Sequence, residues 1–450
     1  MKSTSALQKL KQIDNKDNTV TDKYFASRYF DITDNPMFYG DLDVEEFQVG
    51  DIKIVLSVYS PNKVHLAKDI KETVFKMMKA QKAYLGDINS TRRYDIYLYL
   101  SDGSPTAPSG FGALEHHTST VMVLPEPMQK EAIDEAVIDV VSHEFFHIVT
   151  PLSVHSEDVH YFDYNDPTFS KHLWMYEGVT EYFASVFQVN QDLISEDDFY
   201  KKIMDKIQSS QSFDDTMSFT TMSENILKSE YAPSYGNVYL KGALIGMCID
   251  ILMREASDGQ RGILSLMKEL SMKYGKNKPF EDDKIIDEII KMTYPSVAKF
   301  LNNHVIGTTP INYQEFFDKV GLGDKIEKVE TNLIQNAGNL IVAGSQESGT
   351  IFFNDLVLKN SFWADLGVQP GDEIMEVNGT KLTLMNANQV LGGTLKWQEG
   401  DDVAVILRRK GEEFPINTKV KPSYTDGKKL TSIDSPTAAQ KALRDAWLKG

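Results

Sequence analysis

Two histidines separated by three residues form the part of this sequence best suited to do chemistry. They stand in the run His143-Glu144-Phe145-Phe146-His147. Positions i and i+4 share one face of a helix, so both imidazoles can reach a single ion. Glu144 lies beside them and can polarise a water held by that ion. The motif therefore predicts a metal site with His143 and His147 as ligands and Glu144 as the catalytic base.

A third ligand is expected downstream, because catalytic zinc usually takes three protein ligands and keeps one position open. Two glutamates stand one helical turn apart in the run Trp-Met-Tyr-Glu-Gly-Val-Thr-Glu-Tyr at 174–182. We expect Glu177 to bind the metal and Glu181, on the same face, to hydrogen-bond a ligand imidazole. The reverse assignment of these two glutamates stays open. Three histidines between the two motifs are rival ligands: His155, His160 and His172.

The elements that position these residues change from strands to helices along the chain. Residues 1–25 are polar and are predicted to be frayed or loosely helical. Alternating or β-branched runs predict strands at 51–58, 94–100 and 118–124, with an amphipathic helix over 68–84. Helices dominate from Gln129 to about His304, including helices over 129–149 and 174–189 and one capped by Ser195. This order predicts an α+β fold.

The two motifs together resemble those of a known enzyme group. H-E-F-F-H followed by W-M-Y-E-G-V-T-E-Y is similar to the gluzincin metallopeptidases, and the catalytic residues resemble those of aminopeptidase N. The wider chain, over most of residues 30–425, looks more like the glycyl aminopeptidase family. The resemblance implies a thermolysin-like catalytic domain, made of a small β part and a helical part, with one Zn²⁺ per chain. Members of that family join this domain to a PDZ domain.

A second segment supports the resemblance and implies how a substrate is held. Gly112-Ala113-Leu114-Glu115-His116 is similar to the Gly-x-Met-Glu-Asn segment of the aminopeptidases, and closer still to the form that ends in Glu-His. The resemblance implies that the backbone of Gly112, Ala113 and Leu114 pairs with an extended substrate. It also implies that Glu115 binds the free α-ammonium group, which would select the first peptide bond.

A third segment implies a stabiliser of the reaction's oxyanion. Tyr239-Leu240-Lys241-Gly242-Ala243 resembles the Tyr-x-Lys-Gly segment of these enzymes, in which the tyrosine hydroxyl supports the tetrahedral oxygen. A phenol near the metal can donate a hydrogen bond to that oxygen. Tyr239 is therefore the expected catalytic tyrosine, with Tyr235 as the substitute.

The C-terminal part of the chain is β-rich and resembles a PDZ domain. Residues 361–379 resemble the family pattern Ala-x-x-Gly-Leu-x-x-Gly-Asp-x-Ile-x-x-Val-Asn-Gly, with Val368 at the Leu position, and Asn378-Gly379 predicts a hairpin turn. A structural module and a peptide-binding module both stay open for this domain, and 337–340 is a candidate binding loop. We predict four segments: an N-terminal β segment at 1–60, the catalytic domain at 61–332, the PDZ domain at 333–424 and a tail at 425–450. The N-terminal segment is expected to be incomplete, because relatives carry a fuller β domain. The tail includes an apolar patch that suits a docking helix.

Composition excludes several other classes of protein. The 450 residues contain 47 Lys and Arg against 65 Asp and Glu, a net charge of −18. Such an acidic chain repels phosphate backbones, so no nucleic-acid partner is expected. Cys248 is the single cysteine, which excludes an internal disulfide and a multi-cysteine zinc site. No apolar run reaches the ~18 residues of a membrane span. No signal peptide is recognised, so the sequence as written predicts a cytoplasmic protein, or a periplasmic or secreted one if its N-terminus has been trimmed.

The combined prediction is a zinc-dependent aminopeptidase that removes N-terminal residues from peptides or protein ends with a metal-activated water. A preference for small first residues, Gly or Ala, is implied by the resemblance alone. Two alternatives stay open. One is a zinc endopeptidase assisted by its PDZ domain, and the other is a catalytically silent scaffold that binds peptides.

Overall fold

The chain folds into two units. The computed structural model describes residues 2–86, 88, 91–108, 110–336, 339–345 and 348–450. The first unit comprises Met1–Gly323 and Ser432–Gly450, and the second comprises Asp324–Thr431. The predicted PDZ range, 333–424, falls inside the second unit. The predicted tail, 425–450, is divided, because 425–431 belong to the second unit and 432–450 to the first.

Strands and helices are both abundant among the described residues, which confirms the predicted α+β class. The strands are β1 (Lys2–Thr4), β2 (Gln8–Asp14), β3 (Val20–Phe25), β4 (Phe38–Gly40), β5 (Asp43–Val49), β6 (Ile52–Tyr59), β7 (Arg93–Ser101), β8 (Gly112–His116), β9 (Ser119–Pro125), β10 (Leu322–Thr331), β11 (Gln335–Asn336), β12 (Asn339–Leu340), β13 (Val342–Ser345), β14 (Thr350–Phe353), β15 (Glu373–Val377), β16 (Thr380–Lys381), β17 (Asp402–Arg409), β18 (Glu412–Lys419) and β19 (Ser423–Ser432). The α-helices are α1 (Tyr29–Thr33), α2 (Ala67–Leu85), α3 (Lys130–Phe146), α4 (Glu157–His160), α5 (Thr180–Asn190), α6 (Glu196–Ser210), α7 (Phe219–Glu224), α8 (Asn237–Ala256), α9 (Ile263–Lys273), α10 (Ile285–Met292), α11 (Pro295–Phe300), α12 (Tyr313–Lys319), α13 (Ser361–Asp365), α14 (Ala387–Gly393) and α15 (Ala438–Lys449). Two π-helical turns, Trp174–Val179 and Leu301–Ile306, precede α5 and follow α11.

A five-stranded sheet in the first unit supplies the edge nearest the predicted site. Its order is β5-β6-β7-β9-β8. The central pairs β6–β7 and β7–β9 are parallel, and the outer pairs are antiparallel. Helices α2 and α3 pack against this sheet, and most side chains of β6 and β7 are buried. Strand β8, which carries the predicted substrate-binding residues, lies at one end of the sheet and pairs with β9.

The helical layer is built around α8, which is buried along most of its length. A helix that is apolar on nearly all sides belongs in the core of a large domain. Helix α5 packs between α3 and α8, and α6 packs against both α5 and α8. Phe145 and Phe146 of α3 are fully buried, and Phe146 contacts Phe183 and Phe187 of α5. These contacts fix the last turn of α3 relative to α5.

Residues 2–25 differ from the prediction, because they contain three strands rather than a frayed or loosely helical segment. Strands β2 and β3 form an antiparallel hairpin, with Gln8 opposite Phe25 and Asp14 opposite Val20. Asn18 in the connecting turn has φ of 63°, a conformation that asparagine tolerates well. Most residues of both strands are exposed or half-buried, so the polar composition that suggested fraying instead reflects a hairpin solvated on both faces.

Helix α15, at the C-terminal end of the chain, docks on the first unit. Its Trp447 is 1% exposed, contacts Phe199 and stacks on Tyr200 of α6, and donates a hydrogen bond from Nε1 to the Tyr182 hydroxyl at 2.8 Å. The Thr437 hydroxyl caps the helix by accepting a hydrogen bond from the backbone N–H of Gln440. The docking helix predicted from the apolar patch is therefore present.

The second unit is a β-rich module with its own apolar core. Five strands run in the order β13-β14-β15-β17-β18, and β16 pairs with β15. Val377 and Thr380 pair across Asn378 and Gly379, both with positive φ, so the predicted hairpin turn is present. The core includes Phe353 and Trp363, whose rings are in contact.

Within the described part of the chain, no helix combines the length and the apolar character needed to cross a bilayer.

Candidate metal centre

The last turn of α3 brings the two predicted histidine ligands together. The ring centroids of His143 and His147 lie 4.8 Å apart, and both side chains are buried. Phe145 and Phe146, between them in sequence, point into the aromatic core instead. His147 is further fixed because its Nδ1 lies 3.0 Å from the backbone oxygen of Thr150. A histidine whose Nδ1 donates to a carbonyl presents Nε2 with a free lone pair.

A π-helical turn carries the third predicted ligand to these histidines. Glu177 lies within the turn Trp174–Val179, and its Oε2 is 3.2 Å from His143 Nε2 and 3.6 Å from His147 Nε2. Single π-turns often mark functional sites, since the wider turn shifts a side chain out of regular register. One ligand atom from each of the three residues lies within 4.8 Å of the others. The two histidines and one glutamate are a donor set that suits zinc.

Glu181 lies behind His143 rather than among the three converging groups. Its Oε2 is 2.8 Å from His143 Nδ1, and its Oε1 accepts from Lys206 Nζ at 2.5 Å. Burial alone would raise the pKa of the Glu181 carboxyl, but Lys206 and His143 outweigh it and hold that pKa at about 2. Glu177 therefore faces the Nε2 atoms of both histidines, whereas Glu181 faces the Nδ1 atom of His143.

The charge balance of the cluster favours a bound cation. Burial disfavours a charged His143 imidazole, yet Glu177 and Glu181 outweigh it and raise the pKa of His143 to about 10. Burial likewise opposes ionisation of Glu177, but the two imidazoles lower its pKa below the ordinary value. Without a metal, a proton on His143 therefore partly offsets the two carboxylates. A divalent cation would take the place of that proton, as in other sites where binding releases protons.

Glu144 has a buried carboxylate oxygen without a hydrogen-bond partner beside the two histidines. Its Oε2 is buried without a hydrogen-bond partner among the described residues. Burial raises the pKa of its carboxyl to about 7, although the imidazoles of His147 and His143 act in the opposite direction. An orphaned carboxylate oxygen beside two imidazoles and a second carboxylate fits a site that holds a metal ion and a water. The residues present therefore fit the zinc ion that the motifs predict.

Strand β8 places Glu115 next to this group. Oxygen and nitrogen atoms of Glu115, Glu144 and His147 lie within 4.8 Å of one another. Leu114 is 57% exposed and Gly112 is also exposed, while Ala113 and Glu115 are half-buried. Gly112 has φ of 150°, a conformation that residues with a side chain rarely adopt. The strand thus presents the predicted Gly112–Glu115 segment along an outer sheet edge beside the metal centre.

Helix α8 brings Tyr239 next to His143. The two ring centroids are 5.6 Å apart, and the Tyr239 hydroxyl lies 3.1 Å from that of Tyr235. Burial is the main cause that raises the pKa of Tyr239 above its ordinary value. The phenol is therefore a hydrogen-bond donor across the neutral pH range. The structure brings both tyrosine candidates to the site, with Tyr239 in contact with a predicted ligand.

The three rival histidines occupy other environments. His155 Nε2 lies 3.0 Å from His160 Nδ1 with the rings stacked, and His172 Nε2 lies 2.8 Å from the backbone oxygen of Asp282. None of them belongs to a group of three or more potential ligands among the described residues. They serve local contacts instead.

A close approach of two glycines holds the ligand segment against the tyrosine helix, and the sequence reading did not anticipate it. A Cβ atom on Gly178 would lie 2.4 Å from the carbonyl carbon of Gly242, and one on Gly242 would lie 2.8 Å from the Gly178 Cα. Gly178 follows Glu177 directly, and Gly242 lies three residues after Tyr239. In the sequence, the only sign of this contact is that a glycine stands close after Glu177 and close after Tyr239. That the two glycines meet is shown only by the packing.

Comparison with known proteins identifies the region around this centre. The profile of the family described as M61 glycyl aminopeptidase matches residues 136–245. That region includes the two histidines, both glutamates of 174–182 and Tyr239. No curated protein sequence matches the chain significantly.

Two solved structures resemble the chain. An aminopeptidase N family protein from Idiomarina loihiensis has a TM-score of 0.65 at 19% identity, over 99% of this chain and 76% of that one. At this identity the likeness shows the fold alone. Aminopeptidase A from Legionella pneumophila, in complex with aspartic acid, has a TM-score of 0.46 at 12% identity, over 93% of this chain and 41% of that one. The second likeness is too low to carry further comparison.

The fold and the matched region define a peptidase. The resemblance to the glycyl aminopeptidase family that the motifs predict is supported by the family match over residues 136–245.

Proposed function

We propose that this chain is a zinc-dependent aminopeptidase that removes N-terminal residues from peptides. The observation that carries the proposal is the position of Glu115, a carboxylate on an outer strand next to Glu144 and His147. A peptide added to that strand would run beside the metal centre, since strand addition is a common way to hold an extended substrate. Its first residue would then lie between Glu115 and the three ligands.

His143, His147 and Glu177 would hold the ion, one per chain. Bound Zn²⁺ supplies a Lewis acid that polarises the scissile carbonyl and lowers the pKa of a water molecule. The protein's own contribution is to hold the three ligands in place. Glu181 does this for His143 and the Thr150 carbonyl does it for His147, through the Nδ1 atom of each ring.

Glu144 would act as general base and then as general acid. Its Oε2 is unpartnered and buried, and the raised pKa of about 7 suits proton exchange near neutral pH. The carboxylate takes a proton from the attacking water and passes it to the leaving amine. Tyr239 would donate its hydroxyl proton in a hydrogen bond to the tetrahedral oxygen, after leaving its contact with Tyr235.

Glu115 would select the first peptide bond by binding the substrate's α-ammonium group. A carboxylate at a fixed distance from the ligands measures the length of one residue. Substrates with a blocked amine lose this ion pair and leave the Glu115 charge uncompensated. Small first residues, Gly or Ala, are the expected preference on the basis of family alone.

The second unit is proposed to be a PDZ domain that binds a peptide end. Support comes from the hairpin at Asn378-Gly379 and from an apolar crevice lined by Val342 of β13, Leu391 of α14 and Trp397. Of the candidate binding loop 337–340, Ala337 and Gly338 lie outside the described residues. Titration of C-terminal hexapeptides into the full chain and into Leu391→Lys tests this role. Binding by both proteins, or by neither, would contradict it.

Hydrolysis of one peptide in its free and N-acetylated forms tests the aminopeptidase proposal. We expect cleavage of the free form alone, abolished by a chelator and restored by Zn²⁺. Glu115→Gln should raise KM for the free peptide, whereas Glu131→Gln, an exposed carboxylate on the first turn of α3, should not. Cleavage of both forms would favour a PDZ-assisted endopeptidase, and zinc binding without any cleavage would favour a silent scaffold.

A further inference from the structure

We propose that Lys206 is a positioning residue for the metal centre. It anchors the far oxygen of Glu181 and thereby holds the His143 imidazole in the orientation that presents Nε2 to the metal. The proposal rests on the function proposed above, because it concerns the same metal centre.

Lys206 occupies a position on α6 where a packing residue is expected. Phe199, Ile203 and Lys206 follow the i, i+4, i+7 spacing of one helix face, and the first two are buried in the core. The Lys206 side chain is only 15% exposed. A lysine held this far from water on an inward helix face requires a partner there, since buried cations are paired.

The partner connects Lys206 to a predicted ligand through a single carboxylate. Lys206 Nζ donates to Glu181 Oε1 at 2.5 Å, and Glu181 Oε2 is 2.8 Å from His143 Nδ1. With each oxygen held from a different side, the Glu181 carboxylate has a fixed plane. His143 must then donate from Nδ1, which leaves the lone pair of Nε2 for the metal.

Loss of the lysine would remove this restraint at a site that is largely shielded from solvent. The Glu181 side chain is 23% exposed, so its charge is only partly solvated. A shielded carboxylate that loses one partner is destabilised and free to turn toward water. The imidazole of His143 would then lose its fixed hydrogen-bond acceptor. We therefore expect weaker metal binding even though Lys206 touches no metal ligand directly.

The same helix provides a matched control. Lys202 lies one turn before Lys206 on α6 and forms an ion pair of similar length, 2.9 Å from Nζ to Asp139 Oδ2. Its acidic partner, Asp139, accepts a hydrogen bond from Gln188. Asp139 belongs to neither group of potential metal ligands among the described residues. Removing Lys202 deletes a comparable charge and a comparable side chain without removing the hydrogen bonds that Glu181 makes to Lys206 and His143.

The experiment measures the dissociation constant of Zn²⁺ by competition with a chromogenic chelator. The proteins are the full-length wild type, Lys206→Met, Lys202→Met, Glu181→Gln and the double variant Lys206→Met/Glu181→Gln. We expect Lys206→Met to bind Zn²⁺ about tenfold more weakly, within the usual range for residues that orient metal ligands. Lys202→Met should stay within about twofold of wild type, as is usual for a partly exposed ion pair.

The double variant decides whether the lysine acts through Glu181. If it does, Lys206→Met causes no further loss in the Glu181→Gln background. An equal loss in both backgrounds, or unchanged Zn²⁺ affinity of Lys206→Met, would overturn the inference while leaving the proposed function intact. Failure of the wild type to bind Zn²⁺ would instead overturn the proposed function. Lys206→Gln replaces Lys206→Met in the same cycle if the methionine variant does not fold.

Discussion

The metal centre and the core of the second unit differ in whether their buried polar atoms have hydrogen-bond partners. Eight buried side-chain atoms of the described residues have no hydrogen-bond partner, and all of them belong to the first unit. Glu144 Oε2 is one, and Ser142 Oγ on the same helix is another. In the second unit, by contrast, buried Asp372 forms two hydrogen bonds with Arg409.

Asn360 shows how completely the second unit satisfies its polar groups. It is fully buried, donates to the Asn332 and Gln335 carbonyls and to Asn336, and accepts from the Ser423 hydroxyl. A satisfied network of this kind rigidifies a core. Of the unpartnered atoms in the first unit, Glu144 Oε2 lies in the metal group, where a ligand or a water can bind it, whereas the polar contacts of Asp372 and Asn360 stabilise the second unit.

Glu144→Gln should have the largest effect and separate function from stability. We expect kcat on a free peptide to fall by about 10²–10⁴-fold, because the variant has no general base. Zinc content, measured by elemental analysis, and the melting temperature should not fall, because the replacement is isosteric. Glu131→Gln serves as the control. Activity of Glu144→Gln within about tenfold of wild type would contradict the assigned role.

Trp363→Ala tests the stability of the core of the second unit. Loss of a large buried side chain that also donates from Nε1 to the Leu333 carbonyl at 2.6 Å should lower the free energy of unfolding of the second unit by about 3–5 kcal/mol. Hydrolysis of a short free peptide should hardly change. Urea denaturation and steady-state kinetics measure the two effects, with exposed Leu395→Ala as the control. A matching loss of catalysis would show that peptide hydrolysis depends on the stability of the second unit.

Removal of the metal should destabilise the first unit alone. With free Zn²⁺ at about a hundred times its Kd, chelation should lower the free energy of unfolding of the first unit by about 2.7 kcal/mol. Calorimetry should show that transition moving while the transition of the second unit stays in place. His143→Ala, which lacks a ligand, should respond far less to the chelator. A shift of both transitions would indicate that metal binding stabilises both units.

Gly242→Ala should have a modest effect on stability and a selective effect on the site. The added methyl group would lie 2.8 Å from the Gly178 Cα, so overpacking should cost about 1–3 kcal/mol. The ligand segment would shift away from the helix of Tyr239, and we expect kcat to fall more than KM rises. Gly392→Ala, where no atom lies within 4 Å of the new methyl, should instead stabilise by about 0.5–1 kcal/mol. Equal behaviour of the two variants would argue against a role for the glycine crossing.

Local periodicity explains how much of the fold could be read from the sequence. The predicted helix over 68–84 is α2 (Ala67–Leu85), and the predicted strand over 94–100 is β7 (Arg93–Ser101). Both have strong apolar patterns, which the core enforces. The segment 174–189 was predicted as one helix but begins with a π-helical turn at Trp174–Val179. Its wider turn depends on packing against α8, which no local pattern specifies.

Spacing within each short segment fixes the chemistry that the segment can offer. The spacing of His143 and His147 places both imidazoles on one helix face wherever that helix lies. For Glu177 and Glu181 the same spacing is modified by the π-helical turn, and which segments meet depends on the tertiary fold. It set Glu115 of an outer strand beside Glu144, joined Lys206 to Glu181, and brought Gly178 against Gly242. The physical reason is that helical and strand periods are fixed by the backbone, whereas contacts between distant segments depend on how the whole core packs.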